Sequence, residues 1–72
     1  MDIRTSIGIR IKELRDARKV SQDSLAYSIN MSRSYLAEVE TGKRNISIQN
    51  IARISEGLGV SIKEFFNSEL FV

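Results

Sequence analysis

Between Ser21 and Asn45 the chain reads SQDSLAYSINMSRSYLAEVETGKRN, and no other stretch restricts its possible folds as much. Leu25, Ala26 and Ile29 fall on one side of a helix in the first half, and Leu36 and Val39 do so in the second. Ser21 and Ser32 stand where N-caps belong, and Asn30-Met31 marks a turn between them. The expectation is two short helices joined tightly. On a wheel of about 100° per residue with Arg33 at zero, Ser34, Ala37, Glu38 and Thr41 lie between roughly 0° and 140°. Leu36 and Val39 lie near 300° and 240°, with Tyr35 at the margin near 200°. The polar arc of the second helix therefore points away from whatever buries Leu36 and Val39.

A short helix that holds a compact polar face outward, braced by a second helix, is the arrangement of a DNA-reading helix-turn-helix. The residues Ser21-Gln22, Leu25-Ala26, Ser32, Leu36, Val39-Glu40 and Gly42-Lys43 resemble the signature of the lambda-repressor/Cro-like (XRE-type) helix-turn-helix family. The likeness extends upstream through Gly8, Arg10-Ile11 and Leu14-Arg15, and downstream through Leu58-Gly59-Val60-Ser61. Within that family, Arg33-Ser34-Tyr35 and Lys43-Arg44-Asn45 are similar to the small controller proteins of restriction-modification systems. The resemblance implies an all-α, five-helix, lambda-repressor-like DNA-binding domain with a central helix-turn-helix, occupying residues 1–72 as a single domain. It further implies an ion pair between Arg15 and Glu40 that links the first helix to the end of the third. It also implies that Gln22 both meets a phosphate and braces the reading helix.

With 72 residues there is room for one small core. Cysteine and histidine are both absent, which excludes disulfides and thiolate or imidazole metal sites. The apolar runs are too short to cross a membrane, and no secretory leader pattern is present, so a cytoplasmic location is expected. The net charge of +2 says little about nucleic acid by itself. Its distribution says more: residues 1–53 hold ten Lys or Arg against six acids, whereas residues 54–72 hold one Lys against three Glu. Basic charge is displaced from the C-terminal end, as it would be if one face met phosphate and another met a partner.

Proline is absent, glycine is scarce and no apolar-polar alternation occurs, so the whole chain reads as helical. Ile7, Ile11 and Leu14 form a stripe on a first helix from about Thr5 to Arg18, with Thr5 or Ser6 as its cap. Its charges Arg10, Lys12, Arg18 and Lys19 read as solvated. Gly42 is placed to end the reading helix in a left-handed conformation. Ser47 can cap a fourth helix carrying Ile48, Ile51, Ala52, Ile54 and Leu58, ended by Gly57-Leu58-Gly59. Ser61 and Glu64 form a capping box that opens a fifth helix bearing Ile62, Phe65 and Phe66.

Base reading falls to Arg33, Ser34, Ala37 and Glu38. An arginine forks onto guanine O6 and N7, a serine donates or accepts, and an alanine meets a thymine methyl. Glu38 has two readings: it accepts from cytosine N4, or it aims Arg33 through a salt bridge across about one turn. Phosphate contact falls to Gln22, Ser32, Tyr35, Thr41, Lys43, Arg44 and Asn45. For Tyr35 the hydroxyl reaches a phosphate, or the residue is a half-buried structural tyrosine.

An enzyme is disfavoured: histidine, cysteine and a glycine-rich phosphate loop are missing, and the acids do not gather on one face. No cofactor, metal or small-molecule effector is expected. The partners expected are double-stranded DNA with a palindromic operator and a second copy of the chain. Phe65, Phe66, Leu70, Phe71 and Val72 exceed what one small core can absorb, and are expected to form the homodimer contact with help from the fourth helix. Two further classes share the scaffold: an antitoxin-type DNA-binding protein, and a helix-turn-helix used for protein–protein contact. A polar, cationic outward face separates DNA binding from the latter.

Overall fold

The computed structural model describes residues 2–72, and they contain five α-helices and no strand. The helices are α1 (Ile3–Arg18), α2 (Gln22–Ser28), α3 (Arg33–Glu40), α4 (Ile48–Leu58) and α5 (Ile62–Phe66), followed by one 3-10 turn, Glu69–Phe71. Each of α2 to α5 opens on a serine whose hydroxyl accepts the backbone N–H three residues on: Ser21, Ser32, Ser47 and Ser61. That satisfies one otherwise orphaned donor at each helix start. The sequence therefore marks its own helix starts.

Three local expectations need correction. The first helix begins at Ile3, ahead of Thr5, and its cap is Asp2, which accepts from the Arg4 N–H at 2.8 Å. Ser6 is instead buried in the core. Asp2 also grips the Arg4 guanidinium at 3.0 Å, which extends the helix by its first turn. The capping box at Ser61 is only half made: Ser61 accepts from Glu64 N–H, while the Glu64 carboxylate leans towards Arg18, 4.0 Å away. On α4 the buried side is Ile51, Ile54, Ser55 and Leu58, whereas Ile48 is 83% exposed and Ala52 is also exposed. The i, i+3, i+7 positions face inward here, so Ile48 and Ala52 lie on the outer flank.

One core joins all five helices through Ile7, Ile11, Leu14, Leu25, Leu36, Val39, Ile54, Leu58 and Phe65. Its tightest crossing is α1 on the end of α3. A Cβ added to Gly8 would sit 2.4 Å from the Glu40 carbonyl oxygen and 2.7 Å from that of Val39. Only a hydrogen in place of a side chain lets the two backbones approach this closely. Gly42, at φ +78°, ends α3 as the sequence suggests.

The C-terminal segment folds back instead of extending. Phe71 packs edge-on against Phe66 at 4.9 Å and lies 6.4 Å from Phe65. Arg10, expected to be solvated, reaches across from α1 and donates from Nε to the Phe65 carbonyl at 2.7 Å and from Nη2 to that of Glu64 at 2.8 Å. The Phe65 carbonyl at the end of this five-residue helix has no backbone partner, and the guanidinium supplies one while adding a second donor to the Glu64 carbonyl, which already accepts from Asn67 N–H.

Candidate nucleic-acid interface

The site is built on the α2–turn–α3 unit. Asn30, in the left-handed region at φ 54°, makes the turn. Asn and Asp tolerate that conformation better than most side chains because they hydrogen-bond locally. The turn is pinned from α4: Arg53 donates to the carbonyls of both Ile29 and Asn30, the latter at 2.9 Å. Sequence reading missed Arg53, because nothing in a helical periodicity says which carbonyls a distant arginine will find.

The other end of α3 is pinned by an ion-pair network. Glu40 receives Arg15 as a fork, from Nε to Oε2 at 2.6 Å and from Nη2 to Oε1 at 2.9 Å. Gln22 donates from Nε2 to the same Oε1 at 2.9 Å, and the third nitrogen of Arg15 donates to the Val20 carbonyl. The paired side chains are 9% and 4% exposed. Hydrogen bonding to Glu40 holds the Arg15 guanidinium even further above its ordinary, already high pKa. Arg15, Glu40 and Gln22 thus meet as the resemblance implied. The Gln22 side chain is engaged in bracing the end of α3.

With both ends fixed, α3 buries Leu36 and Val39 completely or nearly so. Arg33, Ser34 and Glu38 are exposed, and Ala37 is half-buried beside them. Lys43, Arg44 and Asn45 are exposed on the loop that follows. The proposed base-reading and phosphate-holding residues therefore occupy one continuous region, with two differences in detail. Glu38 does not aim Arg33: it accepts from Arg44 at 3.1 Å. The i, i+5 spacing is too loose for α3 to pair Arg33 with Glu38 directly, and Arg33 pairs instead with Asp23 of α2, Nε to Oδ1 at 2.5 Å. Thr41 turns its hydroxyl back onto the Glu38 carbonyl at 3.0 Å, and Ser32 is engaged as the cap of α3. Both residues are exposed, one at each end of α3.

Tyr35 is half-buried, with its hydroxyl accepting from Asn50 Nδ2 at 3.1 Å and the Arg44 guanidinium 4.9 Å above its ring. It is a platform that carries a cation on its face, an arrangement favoured by the ring quadrupole. The ring is half-buried, as the structural reading expects, and its hydroxyl is engaged by Asn50. Asn50 went unrecognised in the sequence, where it reads only as a polar residue early in a helix.

Residues 11–65 match the family model described as helix-turn-helix. The chain belongs to this helix-turn-helix family. Among helix-turn-helix relatives, it is 40% identical over 67 residues to control protein C.MunI of Mycoplasma sp, across 92% of this chain and 90% of that protein. The restriction-modification controller protein C.AhdI from Aeromonas hydrophila superposes with a TM-score of 0.83 at 38% identity, covering 88% of this chain and 96% of that one. The controller protein C.Esp1396I, solved as a tetramer in complex with its natural 35 base-pair operator, superposes with a TM-score of 0.86 at 32% identity. That match covers 92% of this chain and 87% of the neighbour. These likenesses agree with the lambda-repressor-like fold and with the narrower similarity to controller proteins.

Proposed function

We propose that this helix-turn-helix protein is a sequence-specific, double-stranded-DNA-binding transcription regulator of the controller type, acting as a homodimer on a palindromic operator. The observation that carries the reading is the outward surface of α3. It offers Arg33, Ser34 and Glu38, flanked by Lys43 and Arg44, on a helix locked at both ends. An apolar protein-docking helix would show the reverse polarity. The operator complex of C.Esp1396I supports the same use of the scaffold. In this reading Arg33, Ser34 and Ala37 meet base edges, the start of α2 and the Lys43–Asn45 loop meet phosphate, and Glu38 steadies Arg44. The regulator would act in the cytoplasm without catalytic activity. No helix of the described residues is long and apolar enough to cross a membrane.

A lone domain of this size reads few base pairs, and two copies would place their reading helices in successive major grooves about 34 Å apart. The dimer surface must be drawn differently from the sequence expectation. Phe65 is 0% exposed and belongs to the monomer core, so it has no surface to give. Phe66, Leu70 and Phe71 are half-buried and Val72 is fully exposed, and α4 adds Ile48 and Ala52. We place the two-fold contact on the tail and α4, with Phe65 beneath it.

Selection of binding sites from random duplexes tests the reading. Arg33→Ala should cost about 1–3 kcal/mol and relax preference at one position of each half-site. Arg44→Ala should weaken all sequences alike and reduce the salt slope by about one phosphate. A base-by-base profile unchanged by Arg33→Ala would refute the role of α3.

A further inference from the structure

Arg33 is the first residue of α3, and its position raises a difficulty for a base-reading side chain. A long, exposed arginine at a helix start has many rotamers, and on a duplex it meets phosphate as readily as guanine. The structure places Asp23, in the first turn of α2, against it: Asp23 Oδ1 lies 2.5 Å from Arg33 Nε, and both side chains are about 70% exposed. The contact is made through the inner nitrogen. No nitrogen of Arg33 makes a hydrogen bond of regular geometry among the described residues, so the contact with Asp23 is one of charge at the inner nitrogen, and the two terminal nitrogens are left as the fork that fits guanine O6 and N7. Arg44 shows the opposite arrangement, since its terminal Nη1 is committed to Glu38. A carboxylate on a surface that meets DNA repels phosphate, so its placement there calls for a compensating use.

We propose that Asp23 is a positioning residue for base selectivity, holding the inner nitrogen of Arg33 so that its terminal fork is presented to guanine and its charge is withheld from indiscriminate phosphate. The proposal rests on the reading of α3 as the base-reading helix. Two effects follow from the one contact. On an operator guanine, Arg33 loses less freedom on binding because it is already oriented. On a duplex lacking that guanine, the Asp23–Arg33 pair stays closed and adds almost no net charge towards the backbone. Asp23 therefore raises the operator affinity relative to the non-operator affinity, instead of raising both.

Wild-type protein, Asp23→Asn, Asp23→Glu, Arg33→Ala and the Asp23→Asn/Arg33→Ala double variant are titrated against two duplexes across a range of salt. One duplex is recovered by the wild-type protein from a random library, and the other is its shuffled sequence. An exposed pair of this kind is worth about 1.5- to 5-fold in an equilibrium constant, so Asp23→Asn should lower the operator-to-shuffled ratio by about that factor. The salt slope on the shuffled duplex should steepen by about 0.9, as Arg33 becomes free to meet one more phosphate. Asp23→Glu should restore the ratio, and Asp23→Asn should have no effect on it once Arg33 is alanine. An unchanged ratio for Asp23→Asn beside a collapsed ratio for Arg33→Ala would overturn the proposal and leave the role of α3 standing. Equal losses on both duplexes would also overturn it, by showing a scaffold defect. If Arg33→Ala itself left the ratio intact, the role of α3 and this proposal would fall together.

Discussion

Glu40→Ala removes the acceptor for three hydrogen bonds at once, two from Arg15 and one from Gln22. The Arg15 side chain is 9% exposed, and without Glu40 only the Val20 carbonyl remains to it. Stranding one member of a buried pair costs about 3–5 kcal/mol. The surviving carbonyl bond and the nearby surface put this case near the lower end, at ~3 kcal/mol. A domain of 72 residues has about 4–11 kcal/mol of stability in all. A loss of that size would therefore lower Tm by roughly 10–25 °C. Urea melts of Glu40→Ala, Arg15→Ala and the double variant give the coupling. The double variant should fall short of the summed single losses by at least about 1 kcal/mol, because it leaves no charge stranded. Losses additive to within about 0.5 kcal/mol would refute the network as the lock between α1 and α3. The sign with pH is also defined. Arg15 has its pKa raised by Glu40, so the stability gained through it is present below its unfolded value and is lost only as pH rises through the folded one. Both values are too alkaline for the coupling to change between pH 6 and 9.

Gly8→Ala should destabilise by about 1–3 kcal/mol, because its methyl would collide with the Glu40 and Val39 carbonyls, and a urea midpoint shift checks it. The Asp2 carboxyl is pulled from 3.8 to about 2 by hydrogen bonds from the Arg4 side chain and backbone. Its contribution to α1 is then full above pH 3.8 and lost as pH falls through about 2, so the stability gap between wild type and Asp2→Ala should close in that window. Removing Leu70–Val72 takes Phe71 away from Phe66 and Phe65, so it should lower the urea midpoint of the monomer as well as weaken self-association read by sedimentation; an unaltered dimer at micromolar concentration would move the interface elsewhere.

Helix positions and the outward face of α3 were legible in the sequence because both depend on local rules. A serine hydroxyl meets a backbone N–H three residues on wherever the chain turns into a helix, and a 3.6-residue period places Leu36 and Val39 opposite Arg33 and Ser34. The family likeness added the Arg15–Glu40 pair, which no periodicity could supply. What the sequence left open were contacts between residues far apart in the chain. Arg10 read as an ordinary helix charge and Arg53 drew no reading at all, and only the packing of α1 on α5 and of α4 on the turn brings them to the Phe65 and Asn30 carbonyls. For Glu38 the sequence offered a cytosine of the DNA or Arg33 on its own helix, but the loop after Gly42 delivers Arg44 to it and α2 delivers Asp23 to Arg33. The aromatic tail likewise read as surplus apolar surface until the chain's return placed Phe65 inside and Phe71 against Phe66. Period and capping act within a turn or two of helix. Which charge meets which is decided only when the helices have docked, because Coulomb attraction and hydrogen bonding depend on distances that docking alone sets.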